Sequence, residues 1–198
     1  MILPLRTLLV VLVAAGAYTM PALASLLIYD RGAILAGQIW RVATGVLVHL
    51  TLGHLLFNIA AFTAAGWVIE RRGYPHFWLV GGLTALLGGA VLLVATPGIG
   101  RYGGLSGVAV GMIVYASLCG MREEGPWRRA STAVFALTLL KVAVELLTGQ
   151  TPMTAVGTAP FIPVPMSHAI GGLVSVLVAT GLVPTGREAR TDPVIQRG

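Results

Sequence analysis

Long apolar segments alternate with short polar loops along this chain, and the pattern predicts a set of membrane-spanning helices. The apolar segments lie at about residues 7–28, 50–69, 77–95, 105–120, 131–148 and 166–184. A helix needs about 20 predominantly apolar residues to cross a bilayer, and most of these segments approach that length. We therefore expect an all-α polytopic membrane protein, folded as one six-helix bundle over residues 1–198, with a polar tail at 185–198.

Composition and charge support the same class. Hydrophobic residues make up 56% of the chain and charged residues 10%, whereas a soluble domain typically carries about 25% charged residues. The formal net charge of +6 comes mainly from arginines in the loops, so it favours a membrane topology over a nucleic-acid partner. The positive-inside rule places both termini and these basic residues in the cytoplasm: Arg6, Arg71, Arg72, Arg122, Arg128, Arg129, Arg187, Arg190 and Arg197.

The first apolar segment has two interpretations. Arg6, an apolar core and the sequence Ala22-Leu23-Ala24 resemble a secretory signal peptide with its cleavage site. The apolar run continues to Tyr29, however, and is then long enough to span a membrane. Length favours a retained helix. Charge does not separate the two interpretations, because cleavage would leave the later spans in the same orientation.

The sequence GGLSGVAVG, residues 103–111, places a serine between glycines at the start of the fourth segment. Glycines four residues apart let membrane helices approach closely. A helix from Leu105 to Gly120 would extend only about 24 Å, less than a hydrocarbon core of about 30 Å. If it begins below the outer surface, Ser106 lies at a helix N-terminus on the floor of a wet cavity. Ser106 is therefore a candidate nucleophile.

His168 lies near the start of the sixth segment, and a polar side chain inside a membrane helix is costly enough to need an explanation. The residues that follow it on the same helical face are small: Gly172, Ser175 and Ala179. The fourth segment has a small face too: Gly103, Gly107 and Gly111. We expect these two faces to pack together, which would bring His168 beside Ser106 near the outer side.

His54 and Asn58 are four residues apart in the second segment, so both side chains can face the bundle near its outer end. Each one alone is compatible with a structural hydrogen bond between helices. Together they are suited to donate hydrogen bonds to a developing oxyanion. No acidic residue is expected at the same depth, because Asp30 lies in the first outer loop and Glu70 at the inner end of the second helix. A Ser-His dyad is therefore predicted rather than a triad.

These motifs are similar to those of the rhomboid intramembrane serine proteases. The similar motifs are GLSG at the start of a span, a histidine followed by glycines in the last span, HLLFN in the second span, and IWRVATGVLVHL before it. The resemblance implies that Ser106 is the nucleophile and His168 the general base. It also implies an oxyanion hole formed by His54, Asn58 and the backbone N–H of Ser106.

One position departs from the family pattern. Many rhomboids place an aromatic residue four positions after the serine, where it stacks on the histidine. Val110 occupies that position here. His168 must therefore be held by another group, which these motifs do not identify.

Two further stretches resemble rhombosortases, a bacterial rhomboid branch: YDRGAILAGQIWR before the second helix and KVAVELLTG in the fifth. This resemblance implies an inner-membrane enzyme that processes secreted proteins with a C-terminal anchor, made of a Gly-Gly-type motif, a transmembrane helix and a basic tail. The alternatives are a general rhomboid protease for single-span substrates, or a rhomboid-like protein that binds membrane helices without cutting them.

The expected partners are membrane-anchored protein substrates and the lipid bilayer, with no nucleic acid. No metal or organic cofactor is implied, and the H-E-x-x-H motif of membrane zinc proteases does not occur in the chain. Lys141 and Glu145, four residues apart in the fifth segment, have two interpretations. They form an ion pair that lowers the cost of both charges, or they line the route of the substrate anchor and help to select substrates.

Overall fold

Helices account for most of the structure, a computed structural model that describes residues 3–149 and 165–182. In chain order they are α1 (Leu5–Thr19), α2 (Pro21–Leu27), α3 (Arg31–Leu35), α4 (Arg41–Thr44), α5 (Leu52–Arg71), α6 (Phe77–Ala95), α7 (Ser106–Gly120), α8 (Gly125–Thr148) and α9 (Pro165–Ala179). A 3-10 turn, Gly45–Leu47, follows α4, and two short strands, β1 (Tyr29–Asp30) and β2 (Arg101–Tyr102), pair antiparallel. The predicted all-helical membrane class is confirmed apart from this strand pair. The expected tail at 185–198 lies outside the described residues.

Helix α7 lies at the centre of the bundle. Most of its residues are buried, and α5, α6, α8 and α9 all pack against it. A helix that is apolar on every side is typical of a buried position. The small, apolar residues of α7 let the four neighbouring helices surround it. Ser106, the first residue of α7, is therefore positioned by several neighbouring helices.

In the part of the chain that the structure describes, three helices are long and apolar enough to cross a membrane: α5, α6 and α8. Their bounds agree with the predicted segments 50–69, 77–95 and 131–148, except that α8 already begins at Gly125. The apolar helices α7 and α9 have 15 residues each, so each extends only about 22 Å at 1.5 Å per residue. Within the described residues, six full-length spans are therefore not confirmed.

The prediction of one continuous helix over residues 7–28 is wrong. The helix is interrupted at Met20, and the axes of α1 and α2 are bent by 113° relative to each other. Pro21 is the first residue of α2. Proline has no N–H to donate, and in a continuing helix its ring clashes with the carbonyl four residues earlier. If this bent pair is counted as one span, the number of long spans in the described part of the chain rises to four.

Trp40 and Arg41 anchor the segment that follows α2. The buried Arg41 guanidinium donates from Nη1 to the carbonyl oxygens of Ser25 at 2.7 Å and Ile28 at 2.9 Å. The Trp40 indole N–H donates to the carbonyl of Leu26 at 3.1 Å. Carbonyls at the end of a helix have no partner within it, so these two side chains satisfy the end of α2 and hold α4 against it.

The segment that leads into α7 is fixed by backbone contacts. In the strand pair, Tyr29 lies opposite Tyr102. A Cβ added at Gly103 would lie 2.5 Å from the carbonyl oxygen of Val48, so only glycine fits this approach of two backbones. The start of α7 is thus held against the loop that precedes α5.

Candidate active site

Glycines bring α7 and α9 into backbone contact beside Ser106 and His168. A Cβ on Gly107 would lie 2.8 Å from the carbonyl oxygen of Ser167, and one on Gly171 would lie 2.2 Å from the carbonyl oxygen of Gly107. No larger residue fits at such distances. Gly107 follows Ser106 and Ser167 precedes His168 in the chain, so this contact brings the candidate nucleophile and the candidate base to the same place.

The predicted contact face needs one correction on each helix. Gly111 packs as expected, and its carbonyl accepts a hydrogen bond from Ser175 Oγ at 2.6 Å. On α9 the close contact is made by Gly171, whereas a Cβ on Gly172 would have no neighbour within 4 Å. Steps of three and of four residues both fit a helical period of 3.6, so the sequence did not separate these two glycines. Gly103 precedes α7 and packs on the loop instead.

Ser106 lies half-buried at the N-terminus of α7. The N–H groups of a first helical turn have no partner within the helix, and they carry a partial positive charge. The Tyr102 hydroxyl lies beside this end of α7, where it donates to Ser167 Oγ at 3.4 Å and interacts with the Ser106 side chain. A small cavity lined in part by Tyr102, Gly104 and Ser167 adjoins the serine. This arrangement leaves unpaired donors where negative charge would develop.

His54 and Asn58 of α5 lie against the backbone of Gly104, just before Ser106. A Cβ added at Gly104 would lie 2.5 Å from His54 Cε1 and 3.7 Å from Asn58 Nδ2, and the φ of +138° also favours glycine. Asn58 is buried, and its Nδ2 has no hydrogen-bond partner among the described residues. A buried donor without a partner is costly, so an acceptor brought by a ligand would be stabilised here.

His49, which the sequence analysis did not single out, supports the same region. Its Nε2 accepts a hydrogen bond from the backbone N–H of Leu105 at 3.2 Å, and its ring lies edge to face with His54, with centroids 5.1 Å apart. Burial, with a smaller contribution from His54, lowers the pKa of His49 to about 3. The ring therefore stays neutral and can accept this bond. The sequence position of His49, just before the helix that carries His54, could have identified it as a residue of this region.

A buried carboxylate contacts His168, which corrects the expectation that no acidic residue lies at this depth. Glu145 of α8 has no exposed surface, and its Oε2 lies 2.7 Å from Nδ1 of His168. The sequence analysis placed Glu145 inside a span without fixing its depth. In the structure Glu145 lies one turn before the end of α8, and His168 lies in the first turn of α9. The two side chains are therefore level, and Glu145 holds the ring that Val110 is too small to stack on.

Lys141 forms the ion pair that its four-residue spacing from Glu145 predicts. The ammonium Nζ lies 2.8 Å from Oε1 and 2.9 Å from Oε2 of Glu145, and 3.2 Å from Nδ1 of His168. The Lys141 side chain is 35% exposed, whereas that of Glu145 is fully buried. In this conformation a substrate could contact Lys141 but not the carboxylate.

The structure connects His168 directly with Lys141 and Glu145. It places His54 and Asn58 against Gly104, two residues before Ser106, and Gly107, which follows Ser106, against Ser167. A hydroxyl, an imidazole with a carboxylate partner, and N–H donors beside them are the groups that acyl transfer needs. Among the described residues, no group of three or more His, Cys, Asp or Glu side chains is arranged to hold a metal ion.

Comparison with known proteins finds one family and several relatives. The model of the Rhomboid domain matches residues 36–185. Similar relatives include Rhomboid protease GlpG from Salmonella newport (strain SL254), Salmonella heidelberg (strain SL476) and Salmonella schwarzengrund (strain CVM19633), each 31% identical over 107 residues. The similar region covers 52% of this chain and 38% of the length of each relative.

Proposed function

This chain belongs to the rhomboid family, and from that premise we propose that it is an intramembrane serine endopeptidase. The observation that carries the proposal is the glycine contact between α7 and α9, which brings Ser106 and His168 together. The donors of α5 beside Gly104 add a second element that peptide hydrolysis requires. Relatives that bear the name rhomboid protease support the same activity.

In the proposed reaction Ser106 Oγ attacks the carbonyl carbon of the scissile peptide bond. A C–O bond forms, and the hydroxyl proton moves to Nε2 of His168. When the tetrahedral intermediate collapses, the C–N bond breaks and His168 gives this proton to the leaving amine. Water then hydrolyses the acyl-enzyme by the same steps.

The oxyanion of the tetrahedral intermediate is proposed to bind between the N-terminus of α7 and α5. The backbone N–H of Ser106, the Asn58 amide and the His54 ring would donate to it. Asn58 Nδ2, which is buried without a partner among the described residues, is already desolvated. Such preorganised donors stabilise charge that develops in the transition state more than charge in the bound substrate.

The proposed site of cleavage is near the outer face of a bacterial inner membrane, with both termini in the cytoplasm. The loops at the end of the bundle remote from Ser106 support this orientation. There Arg72 pairs with Glu123 and its guanidinium lies 3.9 Å from the centroid of the Trp127 ring. Further arginines lie at the same end of the bundle: Arg71, Arg122, Arg128 and Arg129. If this basic end is cytoplasmic, Ser106 lies toward the outside.

The proposed substrates are membrane-anchored proteins. A more specific form of the proposal is rhombosortase-type processing of secreted proteins that carry a C-terminal Gly-Gly anchor. It is supported by the sequence similarity of YDRGAILAGQIWR and KVAVELLTG, residues 29–41 and 141–149. A matched pair of tagged substrates, one with a Gly-Gly anchor and one with an ordinary single span, tests it. Equal cleavage of both would instead favour a general rhomboid protease.

Ser106→Ala and His168→Ala are expected to abolish cleavage of a tagged single-span protein in proteoliposomes. Both changes truncate side chains at the site rather than in the main apolar core, so thermal unfolding in detergent should be similar to wild type. Ser117→Ala is the matched control, because Ser117 is another serine of α7 and lies in its inner half. The control should retain cleavage within about twofold, because the change is small and remote from the site.

A second candidate function, binding of membrane helices without cleavage, makes a different prediction in the same assay. Wild-type protein would then leave the substrate intact at every enzyme concentration, and Ser106 would not react with a small fluorophosphonate. Cleavage that persists undiminished in Ser106→Ala would refute the assignment of the nucleophile.

A further inference from the structure

The cluster formed by Glu145, Lys141 and His168 is not accounted for by a Ser-His dyad. We propose that Glu145 is a positioning residue, which fixes the protonation pattern of the His168 ring and completes a Ser106-His168-Glu145 triad, while Lys141 is its counter-ion. This inference rests on the proposed proteolytic function. It assigns to α8 a part in the chemistry of a site otherwise built on α5, α7 and α9.

The first support is the geometry at Nδ1 of His168. An ionised carboxylate only accepts hydrogen bonds, so Glu145 Oε2, at 2.7 Å, requires the ring proton to be on Nδ1. The lone pair is then on Nε2, the nitrogen that must accept the proton of Ser106. When Nε2 takes that proton, the ring becomes an imidazolium, and the adjacent carboxylate stabilises its charge.

The second support is the burial of the carboxylate. An unpaired buried carboxylate is strongly destabilising, and Glu145 is fully buried. Lys141 lies within 2.9 Å of both carboxylate oxygens and can keep Glu145 ionised. A buried carboxylate held between an ammonium and an imidazole ring is better explained by a role in the site than by packing.

Lys141 also explains why the carboxylate is needed. Its Nζ lies 3.2 Å from the same Nδ1, and an ammonium only donates hydrogen bonds. Without the carboxylate, Lys141 would donate to Nδ1 and leave the ring proton on Nε2, which could then no longer accept a proton from Ser106. Glu145 is closer to Nδ1, and a charge-assisted bond of this length outcompetes the longer contact.

The other groups around the ring do not replace Glu145. His54 of α5 carries no carboxylate and so cannot act as a counter-ion to the imidazolium. The Tyr102 hydroxyl donates to Ser167 Oγ, the side chain that precedes His168 in the chain. Among the described residues, Glu145 is the carboxylate that forms an ion pair with His168.

The test compares Glu145→Gln, Glu145→Asp and the double variant Glu145→Gln/Lys141→Met in the full chain. Two rates are measured: labelling of Ser106 by a small fluorophosphonate in detergent, and cleavage of a tagged single-span substrate in proteoliposomes. Glu70→Gln is the matched control. Glu70 is a partly buried glutamate that caps α1 by accepting hydrogen bonds from Thr7 N–H at 2.8 Å and Thr7 Oγ1 at 2.7 Å, away from the site.

Glu145→Gln should lower kcat and the labelling rate by at least about 100-fold with little change in KM, since the corresponding change costs about 10⁴-fold in a soluble serine protease. Glu145→Asp keeps the charge and should lose less than about tenfold, well below the loss expected from the neutral variant. Replacing Lys141 in the Glu145→Gln background should raise kcat by about tenfold, because the donor that favours the wrong ring form is removed. Glu70→Gln should leave both rates unchanged.

Three results would overturn the proposal. Glu145→Gln with near wild-type kcat would exclude a positioning role. Slower cleavage of the anchored substrate with unchanged fluorophosphonate labelling would assign the pair to substrate recognition. A double variant no more active than Glu145→Gln would refute the role of Lys141. If Glu145→Gln does not fold, the double variant Glu145→Gln/Lys141→Met decides, because wild-type kcat without the carboxylate contradicts the proposal. Failure of the proposed function itself is distinct, since the wild-type protein would then neither react with the fluorophosphonate at Ser106 nor cleave the substrate.

Discussion

Helices α8 and α9 both pack against α7, but in different ways. Helix α9 meets α7 through glycines whose backbones touch, so that Gly171 and Gly107 leave no space for a Cβ. Helix α8 has only two buried residues, Ser131 near its N-terminal end and Glu145 near its C-terminal end. Ser106 and His168 are thus on the tightly packed pair, whereas the carboxylate is on a helix with a small buried area.

This difference separates two physical requirements of the site. The distance between serine and histidine has to be kept within a narrow range, and backbone contact between glycines does this because backbone atoms cannot rotate away. Helix α8 instead presents large apolar side chains to its surroundings, with Leu137, Leu140 and Leu147 exposed by 66%, 62% and 86%. In a bilayer that face would contact lipid. The position of α8 is therefore set mainly by its few inward contacts.

The sharpest test of the tight contact is Gly171→Ala compared with Gly172→Ala. A methyl group at Gly171 would meet Gly107 O at 2.2 Å and Gly111 N at 3.0 Å. Both atoms are backbone, so α9 must move and take His168 with it. We expect turnover to fall by at least about 100-fold, the loss that a displacement of about 1 Å causes in an active site. Thermal unfolding should show a loss of about 1–3 kcal/mol from overpacking.

Gly172→Ala controls for the change in helix propensity. The added methyl group would have no neighbour within 4 Å, and alanine is favoured over glycine inside a helix by up to about 1 kcal/mol. Turnover should stay within about twofold of wild type, the range of a change that makes no new contact. Equal losses in the two variants would mean that the α7–α9 contact does not set the geometry of the site.

The long apolar helices were predictable from the sequence, because a run of about 20 apolar residues has few other stable structures. Helix α6, Phe77–Ala95, lies where it was expected. The break at Pro21 was missed because length outweighed the local effect of a proline. The short length of α7, Ser106–Gly120, was also predicted, whereas α9 ends at Ala179 rather than near residue 184.

The candidate residues stood out in the sequence because histidine, asparagine and charged side chains are costly inside an apolar helix and need a reason there. Which of them meet depends on the rotation and depth of each helix. Glu145 illustrates the limit: its spacing from Lys141 predicts the ion pair, but its contact with His168 depends on how α8 packs beside α9. A single sequence fixes the face of a helix more readily than its depth.

His54→Ala and Asn58→Ala test whether the transition-state contacts come from the tightly packed side of the bundle. Each should lower kcat by about tenfold to a hundredfold with little change in KM, because the donors act on the developing oxyanion and the Ser106 N–H can partly compensate. Asn58 Nδ2 has no partner among the described residues, so losing it should cost little stability. Steady-state kinetics and thermal unfolding check both statements. Changes confined to KM would instead assign these residues to substrate docking.

The smallest effect on the reaction is expected where the N-terminal part of α8 packs against Gly120 of α7. A Cβ added at Gly120 would lie 2.1 Å from Ser131 Oγ and 2.7 Å from Trp127 Nε1, so Gly120→Ala should destabilise the fold by about 1–3 kcal/mol through overpacking. Gly120 is at the far end of α7, about 21 Å from Ser106 at 1.5 Å per residue. The folded protein should therefore be labelled by fluorophosphonate at a rate within about twofold of wild type, as remote changes usually allow.

Leu147→Ala, on the exposed face of α8, is the matched control and should change neither the stability nor the labelling rate. A large loss of labelling in Gly120→Ala, with the protein still folded, would show that the contact of α8 with Gly120 also sets the position of Glu145. Helix α8 would then be held as rigidly as α9.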